Sequence, residues 1–173
     1  SQSEIDSIIL KNTGAYLQNL QKVFGITEQI RPLLSKTESR NARFKIVDEY
    51  MLFYFRFIFP HQNLIELGNY DMLKQIILRD YETFTGKTLE RYFTAKLQEE
   101  ENLTKIGSWW DKKSENEIDI ITINELNKSC NIYEVKRQSN KLKLDKTKSK
   151  AQIFMQNMLG YSYNVLGLSM DDM

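Results

Sequence analysis

Apolar residues recur at helical spacing in the first part of the chain. Ile5 and Ile9 are four residues apart, and Leu17, Leu20 and Phe24 repeat the spacing after the polar break "KNTG". Side chains three and four residues apart lie on one face of a helix, so the pattern predicts two short helices. Two such helices joined by a tight turn are typical of a helix-turn-helix.

After Gly25 the spacing of apolar residues changes from the helical period to alternation with polar residues. Apolar and polar residues alternate in "ITEQI" and in "RFKI", and the charged stretch "SKTESRN" separates the two segments. This pattern predicts two strands joined by an exposed loop, which is the wing of a winged helix. An aromatic helix is expected at residues 49–59. Residues 1–60 are therefore predicted to form a winged-helix-like module that lacks the first helix of such modules.

The middle of the chain is predicted to be a helical connector. Leu73, Ile76 and Ile77 mark one helix within residues 61–83. No Ser/Gly-rich linker flanks this stretch, so the neighbouring domains are expected to be docked rather than flexibly tethered.

Residues 84–173 show a different order of elements. A helix is predicted where Leu89, Phe93 and Leu97 recur every four residues. Strand-like segments follow in "TKIGSWWDKK", "NEIDIITINEL" and "NIYEVKRQ", then the helix "KSKAQIFMQNMLG" and the strand "YSYNVLGLS". The order α-β-β-β-α-β predicts a mixed sheet flanked by helices, so the fold class is α/β (α+β).

Composition narrows the functional classes. The 173 residues are 41% hydrophobic and 27% charged with a net charge of +1, so no global field attracts nucleic acid. One cysteine and one histidine exclude a disulfide framework and a Cys/His zinc site. The N-terminus resembles no signal peptide, and the most apolar run, "YMLFYFRFIF", is too short to cross a bilayer. A cytoplasmic protein without a membrane partner is expected.

Acidic residues and a lysine lie on two of the predicted strands. Glu117 and Asp119 alternate along one strand, and Glu134 and Lys136 alternate along the next. Alternate side chains share a face, so Glu117 and Asp119 are expected on one face with Ile121. The segment "NELNKSCN" can reverse the chain, which makes the strands antiparallel neighbours. Asp119, Glu134 and Lys136 are therefore expected to converge.

Such a group suits metal-dependent hydrolysis. Two carboxylates can hold a hard divalent cation, Mg²⁺ or Mn²⁺, through their oxygens. The ion would polarise a phosphodiester and lower the pKa of a bound water, and Lys136 would orient that water or neutralise developing charge. Glu90, on the preceding helix, is a candidate further ligand. The alternative is a solvated charged face, because half-buried antiparallel strands ordinarily carry polar residues outward.

A strongly basic segment begins at Lys136. Residues 136–150 hold seven basic residues against one acid. The functional interpretation is salt-sensitive contact with a phosphate backbone, and the alternative is a solvated flexible loop. The candidate nucleic-acid-binding residues are Arg137, Lys141, Lys143, Lys146, Lys148 and Lys150, with Arg43 beside the wing.

Four short motifs resemble a known family. "LERYF", "GSWWD", "NEIDI" and "EVK" are similar to the C-terminal region, of unknown function, of a bacterial and archaeal P-loop ATPase family. That region comprises a winged helix and a restriction-endonuclease-like domain of the PD-(D/E)xK superfamily. "GAYLQNLQKVFGI" and "RNARFKIVDEYMLFYFRF" extend the resemblance more loosely to nearly the whole chain.

The resemblance implies a metal-dependent nuclease-like domain. Asp119, Glu134 and Lys136 match the superfamily's acidic residue and E-x-K motif, and Glu90 matches the acidic residue of its first helix. "GKT" lacks the first glycine of a P-loop, where Tyr81 stands, so the chain is expected to be a piece of a longer protein. DNA and an ATPase domain outside this chain are the implied partners, and a second copy of the chain is left open.

A hypothesis of another class stays open beside the nuclease. The chain would then be a non-catalytic DNA-binding or regulatory docking module of the ATPase. "YMLFYFRFIF", Trp109 and Trp110 would supply its contacts. Metal dependence separates the two hypotheses, because only the nuclease needs the carboxylates as ligands.

Overall fold

Two compact units make up the chain. The computed structural model describes residues 1–36, 41–100 and 102–173. One unit comprises Ser1–Arg31 with Lys36–Tyr81, and the other comprises Pro32–Ser35 with Glu82–Met173. The helices are α1 (Gln2–Ile9), α2 (Gly14–Lys22), α3 (Glu49–Phe53), α4 (Gln62–Glu66), α5 (Tyr70–Glu100) and α6 (Leu144–Met155). The strands are β1 (Thr27–Ile30), β2 (Arg43–Ile46), β3 (Lys105–Trp110), β4 (Glu117–Asn124), β5 (Ser129–Val135) and β6 (Ser162–Leu168).

The first unit has the order helix, helix, strand, strand that the periodicity predicts. The break between α1 and α2 is fixed by Asp6, whose carboxylate accepts hydrogen bonds from Thr13 N at 2.7 Å and Thr13 Oγ1 at 2.6 Å. These bonds lower the pKa of Asp6. β1 and β2 pair antiparallel, with Thr27 opposite Ile46. The loop predicted between them includes residues 37–40, which lie outside the described residues.

The aromatic segment is a helix of changing pitch. Asp48 caps α3 by accepting a hydrogen bond from Met51 N at 2.7 Å. A π-helical turn (Tyr54–Ile58) and a 3₁₀ turn (Phe59–His61) follow. Pro60 has no N–H to continue an α-helical ladder, which accounts for the change of pitch. Across the described ranges, no helix is both long and apolar enough to cross a membrane.

The middle of the chain forms one long helix where the sequence predicts two. The two helices predicted within 61–83 and after residue 84 are one helix of 31 residues, Tyr70–Glu100. Gly86 lies inside this helix and is partly exposed, with open space where a Cβ would lie. A single glycine costs a helix only about 1 kcal/mol, which a helix of this length tolerates.

The second unit is built on a four-stranded mixed sheet. The strand order is β3-β4-β5-β6, with antiparallel pairs up to β5 and a parallel pair between β5 and β6. Helix α6 forms the crossover that the parallel pair requires. The predicted order α-β-β-β-α-β and the α/β class are confirmed.

Helices cover both faces of this sheet. On one face Phe154 of α6 packs with Ile132, and the ring centroids of Trp109 and Phe154 lie 5.7 Å apart. On the other face Phe93 of α5 packs with Tyr133. Trp110 is 1% exposed. Both tryptophans thus lie in or against the core of the second unit. The residues most deeply buried on the two faces are Ile118, Ile120, Ile121, Ile123, Cys130, Ile132, Phe93, Ala151 and Phe154.

Candidate active site

A β-bulge lies in strand β4 beside Asp119. Gly107 of β3 pairs with Ile121, whereas Trp109 pairs with Ile118. One residue of β3 therefore opposes two residues of β4, at positions 119 and 120. A bulge of this kind bends the strand and turns side chains away from regular alternation.

The bulge changes which side chains share a face. Ile118 and Ile121 both pack on the α6 side of the sheet, while Ile120 packs on the α5 side. The expectation that Glu117, Asp119 and Ile121 share one face is therefore wrong. Asp119 is one of the two bulged residues of β4. It lies between Ile118, which packs on the α6 side, and Ile120, which packs on the α5 side.

The structure brings Asp119, Glu134 and Lys136 together. Lys136 Nζ lies 3.4 Å from Asp119 Oδ2 and 3.7 Å from Glu134 Oε1. Asp119 Oδ2 also accepts a hydrogen bond from Val135 N at 2.9 Å, which fixes the carboxylate against the end of β5. The side chains of Asp119 and Glu134 are 17% and 12% exposed, whereas that of Lys136 is 40% exposed. Two shielded carboxylates thus share one more accessible ammonium group.

Glu134 is held by the segment that leads into α6. Its Oε2 accepts a hydrogen bond from Lys143 N at 2.7 Å, immediately before α6 begins. Gly167 of β6 pairs with Glu134, and Leu142 lies over this glycine. A Cβ on Gly167 would meet Leu142 Cδ1 at 2.6 Å. The missing side chain of Gly167 therefore gives Leu142 its place next to the Lys143 N–H that binds Glu134.

Glu90 belongs to a second group of charges, on the side of α5. Lys87 Nζ donates to both carboxylate oxygens of Glu90, at 3.0 and 3.1 Å, and lies 3.8 Å from Glu117 Oε1. Burial raises the pKa of Glu90; the Lys87 charge opposes this rise, and the negative charges of Asp119 and Glu117 add to it. Sequence reasoning named Glu90 but missed Lys87, although their i, i+3 spacing on a helix indicates a pair.

The start of the basic segment is tied to α5. Arg137 Nη1 donates a hydrogen bond to Thr85 Oγ1 at 2.7 Å, and Lys141 Nζ lies 3.0 Å from Glu82 Oε2. Gln138 Nε2 donates to the same Glu82 carboxylate at 3.2 Å. A 3₁₀ turn, Ser139–Lys141, leads into α6. The alternative of a flexible loop is therefore wrong for this segment, which is folded.

The later lysines of the segment lie on α6 or at its start. Lys148 Nζ lies 3.3 Å from Asp145 Oδ1, and Lys150 Nζ donates to the Glu117 carbonyl oxygen at 2.9 Å. Lys143 and Lys146 are exposed near the beginning of the helix. Arg43 lies in β2 of the first unit. Lys148 and Lys150 therefore bind oxygens within the second unit, whereas Lys143 and Lys146 leave their ammonium groups exposed.

The donor chemistry of the site suits a hard divalent cation. The carboxylates of Glu90, Glu117, Asp119 and Glu134 offer only oxygen ligands, and Glu90 is a half-buried carboxyl that experiences two other negative charges. Within the described ranges, no three Asp, Glu, His or Cys side chains are arranged to hold a metal ion. Lysine ammonium groups and backbone N–H groups engage the carboxylate oxygens in this arrangement. The residues present therefore match the cation in chemistry, and its entry requires the lysine ammonium groups to move away from the carboxylate oxygens.

Comparison with known proteins identifies the family. A family model described as archaeal and bacterial proteins of unknown function, DUF234, matches residues 54–151, a stretch that includes Glu90, Asp119, Glu134 and Lys136. An uncharacterized protein of Methanocaldococcus jannaschii is 35% identical over 128 residues, which are 70% of this chain and 28% of that relative. The chain thus spans less than a third of the relative's length. No solved structure matches the chain. The chain therefore belongs to the DUF234 family of archaeal and bacterial proteins of unknown function.

Proposed function

We propose that the second unit is a metal-dependent nuclease-like domain that hydrolyses phosphodiester bonds in DNA, as part of a longer protein that carries an ATPase domain. The observation that carries the proposal is the convergence of Asp119, Glu134 and Lys136 from neighbouring strands, with Lys136 Nζ 3.4 and 3.7 Å from the two carboxylates. The similarity of "NEIDI" and "EVK" to the PD-(D/E)xK superfamily supports the same chemistry.

In this proposal each side chain has a separate task. Asp119 and Glu134, with Glu90 in support, would hold Mg²⁺ or Mn²⁺ through carboxylate oxygens. When bound, the ion supplies Lewis-acid polarisation of the phosphodiester and a bound water of lowered pKa. The hydrogen bonds from Val135 N and Lys143 N orient the two strand carboxylates before the ion arrives. Lys136 would orient that bound water or neutralise negative charge that develops on the phosphate oxygens.

DNA is the proposed substrate because exposed lysines adjoin the carboxylates. Lys143 and Lys146 are exposed at the start of α6, and Lys143 N binds Glu134 directly. Contacts of this kind to phosphates release counterions, so the proposal predicts affinity that falls steeply with salt and depends little on sequence. Arg43 is a separate candidate for phosphate contact, in the first unit.

The test uses substitutions that keep shape and remove charge. Wild type, Asp119→Asn, Glu134→Gln and Lys136→Met would be titrated with Mn²⁺ by calorimetry and incubated with labelled single-stranded, duplex and branched DNA. Glu125→Gln is the matched control, since Glu125 is an exposed carboxylate that pairs with Lys105 just beyond the opposite end of β4.

Metal binding and DNA cleavage by these variants distinguish loss of a catalytic group from loss of the fold. We expect wild type and Glu125→Gln to bind Mn²⁺ and cut DNA. We expect Asp119→Asn and Glu134→Gln to lose metal binding and cleavage, and Lys136→Met to keep metal binding while losing cleavage. Cleavage by Asp119→Asn at the wild-type rate, in a sample without contaminating nuclease, would refute the assignment.

A docking module is the second candidate. The observation that favours it is a set of exposed aromatic side chains next to the π-helical turn: Tyr50, Phe55 and Phe59 are 71%, 49% and 54% exposed. Apolar surface of this kind is typical of protein contacts. The docking module predicts that wild type gains no thermal stability from Mn²⁺, whereas a real metal site raises the melting temperature by mass action.

A further inference from the structure

Lys87 is a charged residue of the site that the proposed mechanism does not use. Its ammonium group donates to both Glu90 oxygens, at 3.0 and 3.1 Å, and lies 3.8 Å from Glu117 Oε1. Glu90 also experiences the negative charge of Asp119. The lysine thus places a positive charge beside the carboxylates that a divalent cation would need.

The position of Lys87 makes its ammonium group displaceable. Its side chain is 67% exposed, whereas that of Glu90 is 23% exposed. An exposed lysine can leave its partner for water at little cost, because surface ion pairs contribute little net free energy. The more shielded Glu90 regains water less easily, so a neighbouring cation stabilises its charged form.

We infer that Lys87 is the built-in counterion of this acidic site, which neutralises Glu90 and Glu117 while no metal is bound and competes with the divalent cation for them. The inference rests on the proposed function, because it concerns the metal site of that mechanism. It assigns to Lys87 the control of metal affinity. The ammonium group would swing into solvent when the cation enters; its two hydrogen bonds to Glu90 are lost, and no covalent bond changes.

The electrostatics support an exchange of one cation for another. Lys87 Nζ faces the carboxylates of Glu90 and Glu117 at the same time, so its positive charge lies where an incoming divalent ion would meet these oxygens. Like charges repel, and the ammonium group therefore opposes entry of the ion until it moves away.

The test is direct titration of Mn²⁺ into wild type, Lys87→Met and Lys74→Met. Methionine keeps the unbranched side chain and removes the charge. Lys74 is the matched control, since it is an exposed lysine on the same helix, in the first unit. Binding is measured by calorimetry and by electron paramagnetic resonance, which detects unbound Mn²⁺. Neither measurement depends on cleavage. Melting temperatures are measured with and without the metal.

We expect Lys87→Met to bind Mn²⁺ up to about fivefold more tightly than wild type. The gain corresponds to the ion pair with Glu90 that the cation no longer has to displace, and an exposed ion pair of this kind contributes at most a small free energy. The metal-free variant should melt at a lower temperature than wild type, because Glu90 has lost the ammonium group that binds both of its carboxylate oxygens. Lys74→Met should match wild type in both measurements.

Each other outcome has one meaning. Equal or weaker Mn²⁺ affinity in Lys87→Met, with binding by wild type, would overturn the counterion role and leave the proposed function standing. Binding by Lys87→Met alone would support the inference in its strongest form. Absence of binding in both proteins would refute the metal site itself, and the competition with it.

Discussion

Asp119 has a structural task as well as its proposed chemical one, and the two can be separated by substitution. Its Oδ2 accepts the hydrogen bond of Val135 N at 2.9 Å, and Val135 is 4% exposed. Replacement of Asp119 by alanine removes the acceptor and leaves a buried N–H without a partner. Replacement by asparagine removes the charge and keeps an acceptor oxygen.

The expected magnitudes follow from the contacts. An unsatisfied buried N–H costs about 1–3 kcal/mol. The ion pair with Lys136, whose side chain is 40% exposed, adds about 0–1 kcal/mol. Asp119→Ala should therefore lower the free energy of unfolding by about 2–3 kcal/mol. Asp119→Asn should lower it by less than about 1 kcal/mol, since only the charge-assisted part of the bond is lost.

Urea denaturation followed by tryptophan fluorescence measures the difference. Both tryptophans of the chain, Trp109 and Trp110, lie in β3, so the signal reports the second unit. With an m-value of about 2 kcal/mol/M, Asp119→Ala should shift the midpoint by about 1 M. If the alanine variant is no less stable than the asparagine variant, the inferred role of the Val135 hydrogen bond is wrong. The same result decides which variant serves as a test of catalysis, because only a folded one is informative.

Three further predictions concern the core around the site. Phe93→Ala should lower the free energy of unfolding by about 3–5 kcal/mol in the same assay, because Phe93 is 1% exposed between α5 and the sheet; a loss below about 1 kcal/mol would contradict this packing. Gly167→Ala should cost about 1–3 kcal/mol by displacing Leu142, and a structure of the variant with Leu142 unmoved would contradict the contact at 2.6 Å. Burial raises the pKa of the Cys130 thiol from 9.0 to about 11, so the unfolded state binds fewer protons between these pH values and stability falls as pH rises through them. Cys130→Ala should remove that part of the pH dependence in denaturation curves at pH 8 and pH 10, and identical slopes for the variant and wild type would show that the thiol does not contribute.

Local pattern was enough to predict most of the elements and the α/β class. The helical period identified the helix that carries Phe93, and alternation identified β4 and β5. The E-x-K spacing and an antiparallel turn were enough to predict that Asp119, Glu134 and Lys136 converge, since each depends on residues close in sequence. The structure gives Lys136 Nζ distances of 3.4 and 3.7 Å to the two carboxylates.

Other features of the site were decided only by tertiary structure. The bulge at positions 119 and 120 is a mismatch in residue number between β3 and β4, so neither strand's own sequence contains it. Lys87 reaches Glu117 because α5 packs across the sheet, and Leu142 reaches Gly167 because the parallel pairing of β5 and β6 sets that register. Periodicity reports which face of one segment is apolar. Contacts between segments depend on how two such faces pack against each other, and that is fixed only when the whole unit folds.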